Sequence, residues 1–204
     1  MKHIFLLILI LVAVTQAELL FNGSFEQSDY GTPNNWYFTT TQEPYGDGSV
    51  VYVQNDPENA YHGADYLVLD ATGTGSEFHG SARCYQNITD FVEGVEYTLS
   101  AYIRVDALPS VQPQITLNWF DGPYDFIDGI TIWPEVIADG NYHLVSITGV
   151  IPVGPTRGFL QILVRDDTGF DVAPIYLDNL SLIPEPATLS LLAFGGLALL
   201  RKRK

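Results

Sequence analysis

Nine consecutive residues, Tyr97-Thr98-Leu99-Ser100-Ala101-Tyr102-Ile103-Arg104-Val105, put Tyr97, Leu99, Ala101, Ile103 and Val105 on one side and the intervening residues on the other. A repeat of two is the period of a β-strand with one face on a core. Shorter runs rich in Val, Ile, Thr, Tyr and Phe recur at 50–53, 65–70, 85–89, 114–120, 143–151, 158–165 and 175–182, separated by clusters of Gly, Pro, Asn and Asp. No segment between them carries a convincing helical period. Eight such strands predict an all-β chain, an antiparallel sandwich without internal repeats.

The two ends are different in kind. Lys2 and His3 precede an apolar run over 4–14, followed by Thr15-Gln16-Ala17. A basic start, a short apolar core and a small-x-small site predict a signal peptide over 1–17, cleaved after Ala17. At the other end Pro184-Glu185-Pro186 leads into an uncharged span over 187–200 and then Arg201-Lys202-Arg203-Lys204. As a helix, that span reaches only about 21 Å. A bilayer core is about 30 Å thick, so spanning it requires thinning and snorkelling of the basic side chains. The four cations keep their flank cytoplasmic and leave everything upstream outside. The alternative, a buried C-terminal helix, lacks an amphipathic stripe. The prolines are expected to stop the preceding strand, leaving an extended segment open to a protease. Between the two signals, 18–183 suits one compact domain.

The 184–204 segment resembles the PEP-CTERM sorting signal of Gram-negative bacteria that make extracellular polysaccharide. The resemblance implies processing by an exosortase, with Pro184, Glu185, Pro186, Arg201, Lys202, Arg203 and Lys204 as the recognised elements. It further implies export, a transient anchor in the inner membrane, and a final place at the cell surface or in the extracellular matrix.

Within 18–183 four arginines and no lysine face 23 acidic residues, a formal net charge of −19. Nucleic acid and anionic membranes are poor partners for such a surface. Neutral sugars, cationic polymers and divalent metals remain compatible, as does a plain solubility role. Cys84, the only cysteine, cannot form an internal disulfide. It lies in an alternating run and reads as a small core hydrophobe, because no spacing of His62, His79 or His143 assembles a triad around it.

Several segments together resemble the jelly-roll carbohydrate-binding modules attached to xylanases and cellulases. They are Leu20-Phe21-Asn22-Gly23-Ser24-Phe25-Glu26 with Trp36 following, Tyr61-His62-Gly63-Ala64-Asp65-Tyr66-Leu67, Tyr85-Gln86-Asn87-Ile88, Gly94-Val95-Glu96-Tyr97, Asp139-Gly140-Asn141-Tyr142-His143 and Ile175-Tyr176-Leu177-Asp178-Asn179-Leu180-Ser181-Leu182. The likeness implies a single jelly-roll sandwich, a core role for Trp36, and a structural Ca²⁺ shared by Glu26 and Asp178. Hard oxygen donors on terminal strands suit that ion; the alternative is that both carboxylates only accept hydrogen bonds from loop amides. The acidic stretch over 121–129 lacks the spacing of an EF-hand loop.

Pyranose rings stack on aromatic faces while nearby polar groups take their hydroxyls. Trp119, Phe120, Tyr124, Phe126 and Trp133, interleaved with Asn118, Asp121 and Asp125, are the aromatic-rich centre of the chain. Tyr124 and Trp133, in a stretch read as loop, lead the candidates for binding polysaccharide, followed by Trp119 and Asp121. Trp119 shares parity with Ile115 and Leu117, so burial is an equal reading. No nucleophile elbow, zinc-protease motif or phosphate loop occurs. The expected function is therefore a non-catalytic, exported, glycan-binding protein. The alternatives are a structural matrix protein without sugar affinity and a glycan-active enzyme.

Overall fold

A computed structural model describes residues 18–29, 32–41, 49–71, 80–107, 113–165 and 173–185. The expected signal peptide at 1–17, Pro186, the apolar span at 187–200 and the cluster Arg201, Lys202, Arg203 and Lys204 lie outside those residues. The described residues form strands and no helix: β1 (Ser28–Asp29), β2 (Thr32–Pro33), β3 (Tyr37–Thr41), β4 (Val50–Asn55), β5 (Asp65–Asp70), β6 (Ser81–Ile88), β7 (Glu96–Val105), β8 (Gln114–Asp121), β9 (Asp125–Ile132), β10 (His143–Val150), β11 (Arg157–Arg165) and β12 (Ile175–Pro184).

Two five-stranded sheets face each other, one ordered β10-β7-β12-β5-β4 and the other β3-β6-β11-β8-β9, and every neighbour within them is antiparallel. The alternation in β7 does what its period demands. Tyr97, Leu99, Ala101, Ile103 and Val105 are buried between the sheets, where they meet Leu67, Leu69, Leu160, Ile162, Leu177 and Leu182. Each fully buried Leu or Ile contributes about 1.5–3 kcal/mol through lost apolar exposure.

The amino-terminal segment runs alongside the last strand. Leu19 N–H donates to Leu182 O at 3.1 Å and Leu180 N–H to Gly23 O at 2.9 Å. A β-carbon on Gly23 would sit 1.9 Å from Leu180 O, so only glycine permits this approach. The buried side chain of Gln86 clamps the same segment, accepting from Phe21 N–H and donating to Phe21 O, both at 2.9 Å.

Two expectations change. The stretch after Asp121 is not all loop: Gly122, at φ 66°, turns the chain so that β9 returns along β8. Its Asp and Gly residues weaken any local strand signal, and the ladder to β8 outweighs that weakness. Nor does the last strand stop ahead of the proline pair. β12 continues through Pro184, which is buried and opposite Tyr97. Glu185 N–H then donates to Glu96 O at 2.8 Å, and the Glu185 carboxylate accepts from the Thr98 hydroxyl. Proline is tolerated there because Glu185 carries the ladder bond to β7, so the Pro184 nitrogen one residue earlier points to the other side, where β5 pairs only with 175–177. The first two residues of the Pro-Glu-Pro triplet are thus part of the sandwich and do not form a free tether.

Candidate functional site

Glu26 and Asp178 are brought to one loop, as the side-by-side terminal segments require. Glu26 Oε1 accepts from the backbone N–H of Ala64 and Asp65 at 2.8 and 2.9 Å. Asp178 Oδ2 accepts from Tyr61 and His62 N–H, both at 2.9 Å, and Oδ1 from Asn179 N–H at 2.6 Å. Between them Gly63 has φ 72°, and a β-carbon there would fall 2.1 Å from Glu26 Oε1. Burial raises the Asp178 carboxyl above the usual carboxylate range; the three amides oppose that rise, and the charge of Glu26 adds to it. Among the described residues no third His, Cys, Asp or Glu joins them in a metal-sized cluster. The pair offers hard, anionic oxygens suited to Ca²⁺, and carbonyls or water would have to complete its usual six to eight ligands.

The expected sugar-binding residues are dispersed. Trp119 is a correction: only 3 % exposed, it points into the core, with its ring 4.9 Å from that of Phe91. Gly158 lies across from it because any β-carbon there would come within 2.4 Å of the indole. Tyr124 is 88 % exposed at the tip of the β8–β9 turn, close in sequence to the exposed Asp121. Trp133 is also exposed but follows the far end of β9. A strand of that length separates them by about 30 Å at roughly 3.3 Å per residue. Tyr124 and Trp133 therefore do not form one aromatic platform.

A different set of side chains does come together, on the outer face of β3-β6-β11-β8-β9. Tyr37 in β3 stands directly opposite Tyr85 in β6, with ring centroids 5.2 Å apart and planes 16° from parallel. Tyr85 in turn lies 5.1 Å from Phe159 in β11. Tyr37 is about half exposed at the sheet edge, which leaves its outer ring face open. Asn87 in β6 and Asn118 in β8 flank Phe159 in register, and Gln161 lies opposite both Tyr85 and Thr116. Gly129 in β9 supplies no side chain beside Asn118, whose amide oxygen occupies the place a β-carbon would take. At one end Phe120 and Phe126 pack edge to face at 5.8 Å. The result is an open strip of aromatic rings bordered by side-chain amides and hydroxyls. Such a strip can bind a molecule with apolar faces and many hydroxyls.

These residues were missed from the sequence, although one signal pointed to them. In β6 the parity that buries Cys84, Gln86 and Ile88 turns Tyr85 outward. A large aromatic ring on the solvent face of a strand is informative, but its partners come from distant strands. Cys84 itself is fully buried and burial pushes its thiol strongly up, which removes any nucleophilic role.

The PEP-CTERM protein-sorting motif matches residues 182–204, so the match begins inside β12. No curated protein matches the chain. In architecture the chain is similar to the enzymatically active domain of tailspike protein 4 from bacteriophage CBA120, with 18 % identity, a TM-score of 0.63, and coverage of 82 % of this chain and 21 % of that one. It thus spans about a fifth of the tailspike structure. It is also similar to TmCBM61 solved with β-1,4-galactotriose, at 16 % identity, TM-score 0.53 and coverage of 83 % and 99 %. The CBM22-1 xylan-binding domain of Paenibacillus barcinonensis aligns at 19 % identity, TM-score 0.52 and coverage of 83 % and 96 %. At such identities the likeness shows the all-β sandwich fold alone.

Proposed function

We propose that this protein is exported, processed at its C-terminal sorting motif by an exosortase, and binds polysaccharide without catalysis at the outer face of β3-β6-β11-β8-β9. The observation that carries the reading is the outward-facing row of exposed Tyr37 and half-buried Tyr85 and Phe159, bordered by Asn87, Asn118 and Gln161. The sandwich it shares with carbohydrate-binding modules, and the sorting motif over 182–204, support it. Before processing, the tail holds the domain at the outer surface of the inner membrane of a Gram-negative host; afterwards the protein joins the cell surface or exopolysaccharide matrix.

The test is affinity electrophoresis of the full-length chain in non-ionic detergent through xylan and β-1,4-galactan. Retardation is expected, and Tyr85→Ala should weaken it about tenfold or more, since aromatic stacking is worth roughly 0.5–1.5 kcal/mol beyond the buried area. Absence of retardation by any polysaccharide would leave a structural matrix protein as the better account. Retardation that survives Tyr85→Ala but is lost in Tyr124→Ala would move the site to the β8–β9 turn.

Glu26 and Asp178 complete the reading as holders of a structural Ca²⁺. Their approach to a single loop and the mutual charge between them support this role. A chelator should lower the melting temperature, because an ion bound only by the folded state stabilises it; an unchanged melt would sink the assignment.

A further inference from the structure

We infer that the glycan bound at this face is anionic, carrying carboxylates or other oxyanions along its length. The inference rests on the proposed glycan-binding face and adds its ligand class. Its basis is how the few cations of an acidic domain are distributed. Of the four arginines in 18–183, Arg83, Arg157 and Arg165 all occupy outward positions of one sheet, in β6 and β11. The outward positions of β6, β8 and β11, read from their alternation, hold no Asp or Glu among the described residues. Of the 23 acids of the domain, three lie in described strands of this sheet, Asp121 at the end of β8 and Asp125 and Asp128 in β9, all towards the β8–β9 turn and away from Arg83.

The arrangement within the face is specific. Arg83 stands opposite Thr39 and Leu163, one step along the sheet from the Tyr37–Tyr85 pair, and its Nε is buried without a hydrogen-bond partner. Arg157, beyond Phe159 at the other end of the row, is held over the Phe120 ring at 5.1 Å and donates to Pro123 O, while its own Nε is also buried and unpaired. Arg104 Nε on the other sheet also lacks a hydrogen bond but has the Asp106 carboxylate 3.6 Å away, whereas Arg83 and Arg157 have no ion-pair partner among the described residues; a bound oxyanion supplies one. Arg83 and Arg157 are about 20 Å apart along the strands at roughly 3.3 Å per residue. The aromatic row lies between them. An extended oligosaccharide, and no single sugar, can reach both.

A guanidinium with a free edge matches a carboxylate in a planar, two-bond geometry. The overall negative charge does not overrule this, since charges more than about 8 Å apart are largely screened at physiological salt. At the Arg83 end no acid lies in register with the guanidinium, so the arginine sets the local sign; at the Arg157 end Asp121 and Asp125 offset part of the charge, which makes Arg83 the stronger anion contact.

The experiment compares polygalacturonate with its fully methyl-esterified form, which has the same backbone without charge, using full-length protein in non-ionic detergent. Polygalacturonate is expected to bind about tenfold tighter or better, with the difference shrinking as salt is raised. Arg83→Gln should remove most of that difference while the melting temperature stays unchanged. Dextran sulfate is the third arm: binding equal to polygalacturonate assigns the site to oxyanions in general, and weaker binding assigns it to carboxylates. Equal affinity for the charged and esterified polymers, or an Arg83→Gln variant with undiminished preference, overturns the inference. If Tyr85→Ala then still abolishes binding, the aromatic face stands and only the ligand class fails; if no polymer binds at all, both fail.

Discussion

The outer faces of the two sheets contain the same ingredients, arginine and aromatic rings, used in opposite ways. On β10-β7-β12-β5-β4, Arg104 is enclosed. Its guanidinium lies 4.1 Å from the ring centre of Tyr176, which is opposite it in register, and 5.3 and 5.5 Å from those of Tyr142 and Tyr66. It donates to Asn59 O at 2.8 Å, pairs with Asp106 at 3.6 Å and is only 7 % exposed. Tyr61 stacks on Tyr102 at 3.5 Å beside the same cluster. On β3-β6-β11-β8-β9 the rings and cations lie side by side across the strands, with Tyr37 exposed and Arg83 without a carboxylate facing it across either neighbouring strand. The first face uses its cation–π contacts to hold the fold, while the second leaves rings and donors facing outward, as the proposed glycan site requires. Residue types alone therefore do not mark a site; whether they satisfy one another does.

The largest expected effect tests the enclosed face. Arg104→Ala removes a buried side chain from three surrounding rings and should destabilise by about 2–4 kcal/mol in urea melts. Glycan affinity should be unchanged. A loss below about 1 kcal/mol would show that the tyrosines pack equally well without the cation.

A pH series probes the Glu26–Asp178 loop. The folded-state pKa of Asp178 is raised, so the folded protein holds that proton more tightly than the unfolded chain does. Its contribution to stability is therefore greatest at acid pH and falls as pH rises from the unfolded value of about 3.9 through the raised folded one. The difference between wild type and Asp178→Asn should show this fall in chelator and lose it in Ca²⁺, because the ion favours the charged carboxylate. Identical slopes in both conditions would argue against an ion at this loop.

On the open face, Tyr37→Ala should change stability by only about 0.5 kcal/mol or less, while weakening xylan or galactan binding measurably. A large stability loss would mean that the row is as structural as the Arg104 cluster. The smallest effect belongs to Asp139, whose pKa is lowered to about 2, first by its hydrogen bond with His143 and then by the Asn141 amide. Its contribution is present above the unfolded value of about 3.9 and disappears as pH falls towards the folded one. Being exposed, Asp139→Asn should alter the melt only slightly at pH 7.

Much of the architecture was legible along the chain. The alternation over 97–105 became β7 with the expected face inward, and the expected core place of Trp36 is met by an indole that donates to Phe21 O and Asn22 O at 3.1 Å. β9 was not legible, because its Asp and Gly residues carry weak strand signals that pairing with β8 outweighs; β3, Tyr-Phe-Thr-Thr-Thr, has strand-favouring residues but is only five residues long, and pairing with β6 fixes it. The site was harder. An aromatic-rich stretch drew attention to Trp119, Tyr124 and Trp133, but parity buries the first, and the length of β9 separates the other two.

The sequence by itself determined the sheet-forming pattern, the acidic balance and the C-terminal sorting motif. These are local or additive properties, readable wherever a period, a composition or a short motif survives. Only the tertiary structure decided that Tyr37, Tyr85 and Phe159 share a face, that Arg83 and Arg157 bracket them, and that Pro184 and Glu185 are docked on β7. Each depends on which strands lie side by side and in what register, and register is set by packing between segments remote in the chain.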